Sequence, residues 1–301
     1  NASNPIESLS ISQVTKIFAG DINNWRNLNG KDEKINLYVR DKKSGTYDSF
    51  QSIILKPYKT GMSETVAGEF ENNAKLSAAV ANDAQAIGFT SYKKVAGTKL
   101  LRIADNTGRV YEPNVFTIKT EVYPICRRLY LYRHPNATNR HAINFTRFAS
   151  SETAQELIVK SGFVSPDLFL TSDADLPEDA PPLYRRLVSK AKRIPINIYF
   201  TPGSHQFDRD ALVQLGEINR MLRQKGYVNR QVLLMGFSDA SGSVPMQEEL
   251  AILRARKVQQ YLREYGNSRT RAFSFGSQMP LSNSFDYEGR RRNSRVEVWV
   301  R

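Results

Sequence analysis

Short runs of alternating apolar residues, each followed by a stretch with apolar residues at helical spacing, limit how this chain can fold. In KINLYVR (34–40), Ile35, Leu37 and Val39 alternate with polar residues, the period of a half-buried strand. In LSISQVTKIFAG (9–20), Ile11, Val14, Ile17 and Phe18 recur at helical spacing, polar residues open the run and Gly20 closes it. The same alternation continues. A helix is predicted from about Thr46, AKLSAAVAND (74–83) reads as a helix, and AIGFTSY (86–92) reads as a strand. VYPICRRLYLYR (122–133) is a long strand candidate, and SSETAQELIVKSG (150–162) is a helix that opens with Ser and Glu in capping-box order and closes on Gly162.

Further on, IPINIYF (194–200), QVLLMGFSD (231–239), RAFSFG (271–276) and RVEVWV (295–300) read as strands. FDRDALVQLGEINRMLRQKG (207–226), with Asp208 as cap and Gly226 beyond its end, and MQEELAILRARKVQQYLREYG (246–266) read as helices. Alternating strands and helices imply α/β domains whose sheets are covered by helices. Between the two series, residues 166–193 run acidic and proline-rich, then basic, a composition suited to a connection between domains. The expected division is 1–170, a linker at 171–193, and 194–301.

The chain has 301 residues, enough for about two domains. Its formal net charge of +13 favours anionic partners without choosing among them. The single cysteine, Cys126, excludes an intrachain disulfide and argues against a small secreted disulfide scaffold. His134, His141 and His205 lack metal-site spacing, and no metal or cofactor is expected. No apolar run approaches the roughly 20 residues needed to span a bilayer. The chain starts at Asn1 with no visible signal peptide, read as a processed or cut end. No Ser-His-Asp constellation or pair of acids at a plausible site points to an enzyme.

Two stretches carry candidate chemistry. In YVRDKKSGTYDSF (38–50), a strand leads through Arg40-Asp41-Lys42-Lys43 to Ser44-Gly45-Thr46 and a helix start. Unpaired N–H groups, hydroxyls, a glycine that permits close approach and an arginine fork suit a tetrahedral oxyanion. Plain capping of the helix by Ser44, beside a solvated Arg and Lys pair, also fits. In the second series, Leu250, Arg254 and Val258 share a helix face flanked by Leu253, Tyr261 and Leu262, so the Arg254 guanidinium is partly desolvated and needs an anionic partner. Asp239 follows a strand, where α/β sheets present ligand residues. An Asp and an Arg held apart suit a zwitterion; a turn at SDASG with an internal Asp239–Arg254 pair is the alternative.

NPIESLSISQVTKIFAGDINNW, YVRDKKSGTYDSF, AAVANDAQAIGFTSY, YPICRRLYLYRHP and FASSETAQELIVKSGFVSP occur in that order, and over roughly residues 4–166 the chain resembles the PstS-like periplasmic phosphate-binding proteins of ABC importers. The resemblance implies a type II periplasmic-binding-protein-like domain in which Arg40, Ser44, Gly45 and Thr46 bind phosphate or a similar oxyanion. Members of that family are two-lobed, and this chain begins near the crossing segment, so the opening part of lobe 1 is expected to be missing from it. Over about 194–301, LLMGFSDASGS, the Arg-Ala within the next helix and the Gly-Arg…Asn-x-Arg-Val-Glu close are similar to the OmpA-like α/β sandwich that holds peptidoglycan. That similarity implies that Asp239 takes the ammonium and Arg254 the carboxylate of diaminopimelate in the wall stem peptide. Phe237 stands where the family commonly has His, and Gln247 falls near a family Asn and is a further candidate.

The implied whole is a non-enzymatic binding protein of a Gram-negative periplasm, associated with the cell wall or outer membrane: an oxyanion receptor tethered to peptidoglycan. The alternative is a structural envelope adaptor whose receptor-like domain binds protein. The Arg290–Arg292 run and Arg295 read as a solvated or carboxylate-pairing edge. No nucleic-acid module is recognisable, and no nucleic-acid partner is expected.

Overall fold

The structure, a computed structural model, describes residues 1–301 apart from 93, 94, 96, 173–175, 178, 225 and 268. It divides into two compact units, Asn1–Ile118 with Tyr123–Asp167, and Lys119–Val122 with Leu168–Arg301. Both are mixed α/β.

In the first unit the elements run β1 (Ser8–Ser10), α1 (Ile11–Ala19), β2 (Asn36–Arg40), α2 (Gly45–Phe50), β3 (Gly68–Phe70), α3 (Asn73–Asn82), β4 (Ala86–Gly88), β5 (Arg102–Ala104), β6 (Val110–Tyr111), α4 (Val115–Lys119), whose last residue counts with the second unit, α5 (Arg140–Ala149) and α6 (Glu152–Lys160). Strands β3, β2 and β4 form a parallel sheet with β2 central, and β1, β5 and β6 form a second sheet. The capping box expected of α1 is complete: Ser10 Oγ accepts from Gln13 N–H while Gln13 Oε1 accepts from Ser10 N–H, and Gly20 ends the helix at φ 93°. Val14, Ile17 and Phe18 of α1 pack with Leu37 and Val39 of β2, with Phe50 and Ile54, and with Trp25, whose Nε1 donates to Gln85 O at 2.9 Å. This core anchors β2, and β2 ends on Arg40.

Two expectations change here. The segment 122–133 forms no strand. Its alternation of Leu and Tyr is real, but alternation fixes faces and not a pairing partner; Leu129, Leu131 and Tyr132 stay exposed. Helix α6 is capped by Ser151, whose Oγ accepts from Ala154 N–H, so the N3 position is alanine and the box has no reciprocal half. The side chain of Glu152 lies outside the described residues.

The second unit runs α7 (Pro182–Val188), β7 (Lys192–Tyr199), α8 (Ala211–Leu222), β8 (Val232–Gly236), α9 (Val244–Glu264), β9 (Thr270–Ser274), α10 (Tyr287–Asn293) and β10 (Arg295–Val300). The sheet order is β7-β10-β8-β9, with β10 antiparallel to both neighbours and β8 parallel to β9. Ile194, Ile196, Ile198, Val232, Leu234, Val296, Val298 and Val300 line one face and bury against Leu215, Ile218 and Leu222 of α8 and Ala255, Val258 and Leu262 of α9. Gly236 is required by packing: a Cβ there would stand 2.0 Å from the Ala251 carbonyl oxygen of α9.

The other face is polar and buried. Glu297 accepts from Arg295 Nε at 2.9 Å, lies 3.2 Å from Arg193 Nη2, and accepts from the Tyr184 hydroxyl at 2.6 Å. Tyr184 belongs to α7, so part of the expected linker 171–193 is a folded layer on this sheet, with Tyr184 edge-on to Phe275 and Trp299. An acidic, proline-rich composition marks what lies beside such a helix but not the helix itself; residues 173–175 and 178 of that stretch lie outside the described residues. Thr120 O accepts from Asn197 Nδ2 at 3.0 Å and from the Tyr199 hydroxyl at 2.8 Å on the same face. Asp208, expected to cap α8, instead accepts from Arg291 Nε at 2.7 Å, and Asp210 is the N-cap residue, its side chain making no capping bond.

Candidate functional site

Each unit presents a candidate site beyond the end of a central strand. In the first, β2 delivers Arg40 and the chain turns through 41–44 into α2. Ser44 is in extended backbone geometry and caps the helix, its Oγ accepting from Thr46 N–H at 3.1 Å. The turn is fixed by Ser44 N–H donating to Asp41 O at 2.9 Å and Lys43 N–H donating to Asp41 Oδ1 at 3.1 Å. The Gly45 carbonyl accepts from Arg127 Nη2 at 3.0 Å and from the Ser49 hydroxyl. Arg40, Ser44, Gly45 and Thr46 are thus brought together. Nothing inside the protein demands a glycine at 45: a Cβ there would meet only Arg127 Nη2, at an ordinary 3.5 Å.

Arg40 is buried, and its fork faces the protein. Nε donates to Phe70 O at 3.1 Å, Nη2 donates to Glu71 O at 2.7 Å and to Asp41 Oδ2 at 3.3 Å, and Nη1 donates to Asn73 Oδ1. Four of its five N–H groups are therefore engaged, and it braces the turn between β3 and α3 against β2. A bidentate grip on two anion oxygens, the geometry read from the sequence, is closed to Arg40 in this arrangement; one N–H remains. Arg127 and Asn73 were not legible in advance, because nothing in their local sequence says which loop they reach.

In the second unit Arg254 is fully buried on the inner face of α9. Its Nε donates to Ser204 O at 2.9 Å, Nη1 to Phe237 O at 3.0 Å and Nη2 to Thr201 O at 3.3 Å. Burial lowers its pKa to about 10, with the Asp239 charge acting in the opposite direction. Asp239 is buried three residues beyond β8 and accepts from the Ser241 hydroxyl at 2.9 Å, the short local bond of a turn. Among the described residues no ion pair joins Asp239 to Arg254. Its direct hydrogen bonds all go to backbone carbonyls, the Asp239 charge acts on it from outside ion-pair distance, and among the described residues two of its N–H groups stay unengaged. Gln247 Nε2 donates to Gly242 O at 2.9 Å, which ties the start of α9 to the loop that carries Asp239. Phe237 is buried, its ring 3.9 Å from the Arg295 Cζ. Arg295 is 1% exposed and paired with Glu297, Arg291 pairs with Asp208 and Glu288, and Arg292 donates to the Glu121 and Val122 carbonyls. Of the two readings of that run, pairing rather than solvation holds for Arg291 and Arg295.

A family model described as a PBP superfamily domain matches residues 1–153, just over half of the chain. The chain belongs to the PBP superfamily. This PBP-superfamily chain carries a second match, to the OmpA family, over residues 199–294. Among its relatives are the phosphate-binding protein PstS of Borreliella burgdorferi, 27% identical over 165 residues, and that of Bacillus subtilis, 29% identical over 172. Those alignments take in 53% and 56% of this chain and 58% and 55% of the relatives, so the chain spans less than two thirds of their length. Among solved structures, an ABC-type phosphate transport receptor from Vibrio cholerae aligns at 26% identity and a TM-score of 0.49, covering 55% of this chain and 67% of that one. The periplasmic domain of Helicobacter pylori MotB aligns at 21% identity and a TM-score of 0.32, covering 36% of this chain and 75% of that one.

Proposed function

We propose that this chain is a non-enzymatic binding protein of a Gram-negative cell envelope, in which the PBP-superfamily domain takes phosphate or a similar oxyanion and the OmpA-family domain holds peptidoglycan. The observation that carries the first half is Gly45 between two hydroxyl residues at a helix start: no internal contact requires a glycine there, whereas a guest approaching the backbone would. Relatives whose names state phosphate binding favour the same ligand. Ser44 Oγ accepts from Thr46 and so keeps its own O–H to donate, and Arg40 sets the turn while offering its one remaining N–H.

For the second half, Arg254 and Asp239 are buried opposite charges that feel one another yet, among the described residues, form no direct ion pair; an entering zwitterion such as the free end of diaminopimelate would give each a direct partner. Calorimetric titration of the 301-residue chain with phosphate and with sulfate tests the receptor. Heat with either anion that disappears in Ser44→Ala supports it, and no heat with either ends it. For the tether, loss of sedimentation with purified sacculi in Asp239→Ala or Arg254→Ala is expected, and unchanged sedimentation refutes the proposed site.

A second reading, the structural adaptor that binds protein through its receptor-like domain, is favoured by one observation: Arg40 is largely engaged internally while Leu129, Leu131 and Tyr132 are exposed. Phosphate binding abolished by substitutions at the 44–46 loop decides against it.

A further inference from the structure

Arginines crowd one end of the OmpA-family domain, away from Asp239. The loop from α8 to β8, the loop from α9 to β9 and Arg301, the residue after β10, meet there. Gln231 and Arg301 exchange backbone hydrogen bonds at 3.1 and 2.8 Å, Val232 N–H donates to Arg269 O at 2.8 Å, and Arg269 Nη1 donates to Asn229 O at 3.1 Å. Asp239 lies beyond the opposite end of β8. Arg220, Arg223, Arg230, Arg263, Arg269 and Arg271 fall within 220–231 and 263–271, where the sole acidic residue is Glu264. All six are exposed, as is Arg301. Among the described residues none of the seven is in an ion pair.

Several of these side chains are held in place by their own domain. Arg263 donates through Nε to Thr270 Oγ1 at 3.1 Å and through Nη2 to Thr270 O at 3.3 Å, and Arg271 lies 5.3 Å from the centre of the Phe273 ring. Glu264 accepts from Gln260 at 2.8 Å. Arginines in the last turns of α8 and α9 are ordinary partners of a helix dipole, which accounts for Arg220, Arg223 and Arg263. It does not account for Arg230, Arg269, Arg271 or Arg301, which lie on loops and strands. Val228 and Tyr265 are 60% and 50% exposed at the same end.

We propose that this end of the domain docks on an anionic phospholipid surface. Guanidinium forks match phosphate oxygens two at a time, and an exposed tyrosine and valine among them suit the headgroup layer, where a nucleic-acid or polysaccharide surface would offer no apolar seat. The inference is independent of the oxyanion and wall readings.

The test is co-sedimentation of the full chain with vesicles of phosphatidylcholine alone and of phosphatidylcholine with phosphatidylglycerol. Binding to the anionic vesicles alone is expected, weakening with salt. Neutralising three arginines together, Arg230→Gln, Arg269→Gln and Arg271→Gln, is expected to weaken it about 100-fold. The triple Lys variant at the same positions keeps the charge and is expected to stay within about tenfold of the wild type, which separates lost charge from lost folding. A Tyr265→Trp variant is expected to show blue-shifted indole emission on anionic vesicles. The proposal is overturned if neutral vesicles bind equally well, if the Gln variant binds like the wild type, if the emission of the Tyr265→Trp variant does not move, or if duplex DNA competes away the vesicles.

Discussion

Replacing Glu297 by Gln keeps the shape of the side chain and removes the negative charge at the centre of the buried face of the OmpA-family sheet. In the wild type that carboxylate stands 2.9 Å from Arg295 Nε and 3.2 Å from Arg193 Nη2, and accepts from Tyr184 at 2.6 Å. Glu297 is 1% exposed and Arg295 equally so. The substitution therefore removes the counter-charge that Glu297 supplies to two buried guanidiniums, a loss of about 3–5 kcal/mol. For a unit of this size that is roughly 10–17 °C in Tm. Tyr184→Phe removes only the hydroxyl and is expected to be milder, about 1.5–3 kcal/mol. Burial pushes the Glu297 carboxyl up, but the Arg193 and Arg295 charges and the bonds from Tyr184 and Arg295 outweigh it and hold the group below its ordinary 4.5. A carboxyl depressed on folding contributes stability that is present above its unfolded pKa and is lost as pH falls through the folded value. The wild-type unit should thus lose this contribution on acidification below about 4.5, and Glu297→Gln should lack that component. Urea unfolding followed by Trp299 fluorescence in a Trp25→Phe background reads both effects. A Glu297→Gln chain within about 1 kcal/mol of the wild type at neutral pH, with the same acid slope, would refute the reasoning.

Other substitutions probe the remaining links. Gly236→Ala forces a methyl group against the α9 backbone at 2.0 Å and should destabilise the second unit by about 3 kcal/mol or more, seen as a lowered urea midpoint while the first unit is unaffected. Arg40→Met removes the bonds to Phe70 O and Glu71 O; it should weaken oxyanion binding and also cost the first unit about 1–3 kcal/mol, measured by calorimetry and by thermal unfolding in parallel. Gly45→Ala should leave stability within about 0.5 kcal/mol, since its Cβ meets no close neighbour, yet reduce phosphate affinity; unchanged affinity would remove the glycine from the site.

The sequence made the fold legible wherever periodicity and caps agree. Helix α1 carries its whole description in eleven residues, from Ser10 to Gly20, and the strands around Leu37, Leu234 and Val298 follow from alternation with one apolar face. Segment 122–133 shows the limit, because a strand needs a neighbouring edge that no local pattern encodes. Helix α7 was hidden for a related reason: the partner of the buried Tyr184 hydroxyl is Glu297, 113 positions away. At the sites the residue types were legible but their partners were not. Arg40 and Arg254 both looked like forks awaiting an anion, and both bind backbone carbonyls that have no signature in side-chain sequence. The arginine-rich end of the second unit escaped notice because its members are scattered between positions 220 and 301.

Sedimentation of radiolabelled phosphate with purified sacculi, with and without the 301-residue chain, tests both halves of the account together. Phosphate should enter the pellet only when the chain is present, and Arg254→Ala or Ser44→Ala should each abolish this, the first by leaving chain and phosphate together in solution, the second by leaving a pelleted chain without phosphate. A wild-type chain that pellets with sacculi yet carries no phosphate would contradict the receptor claim.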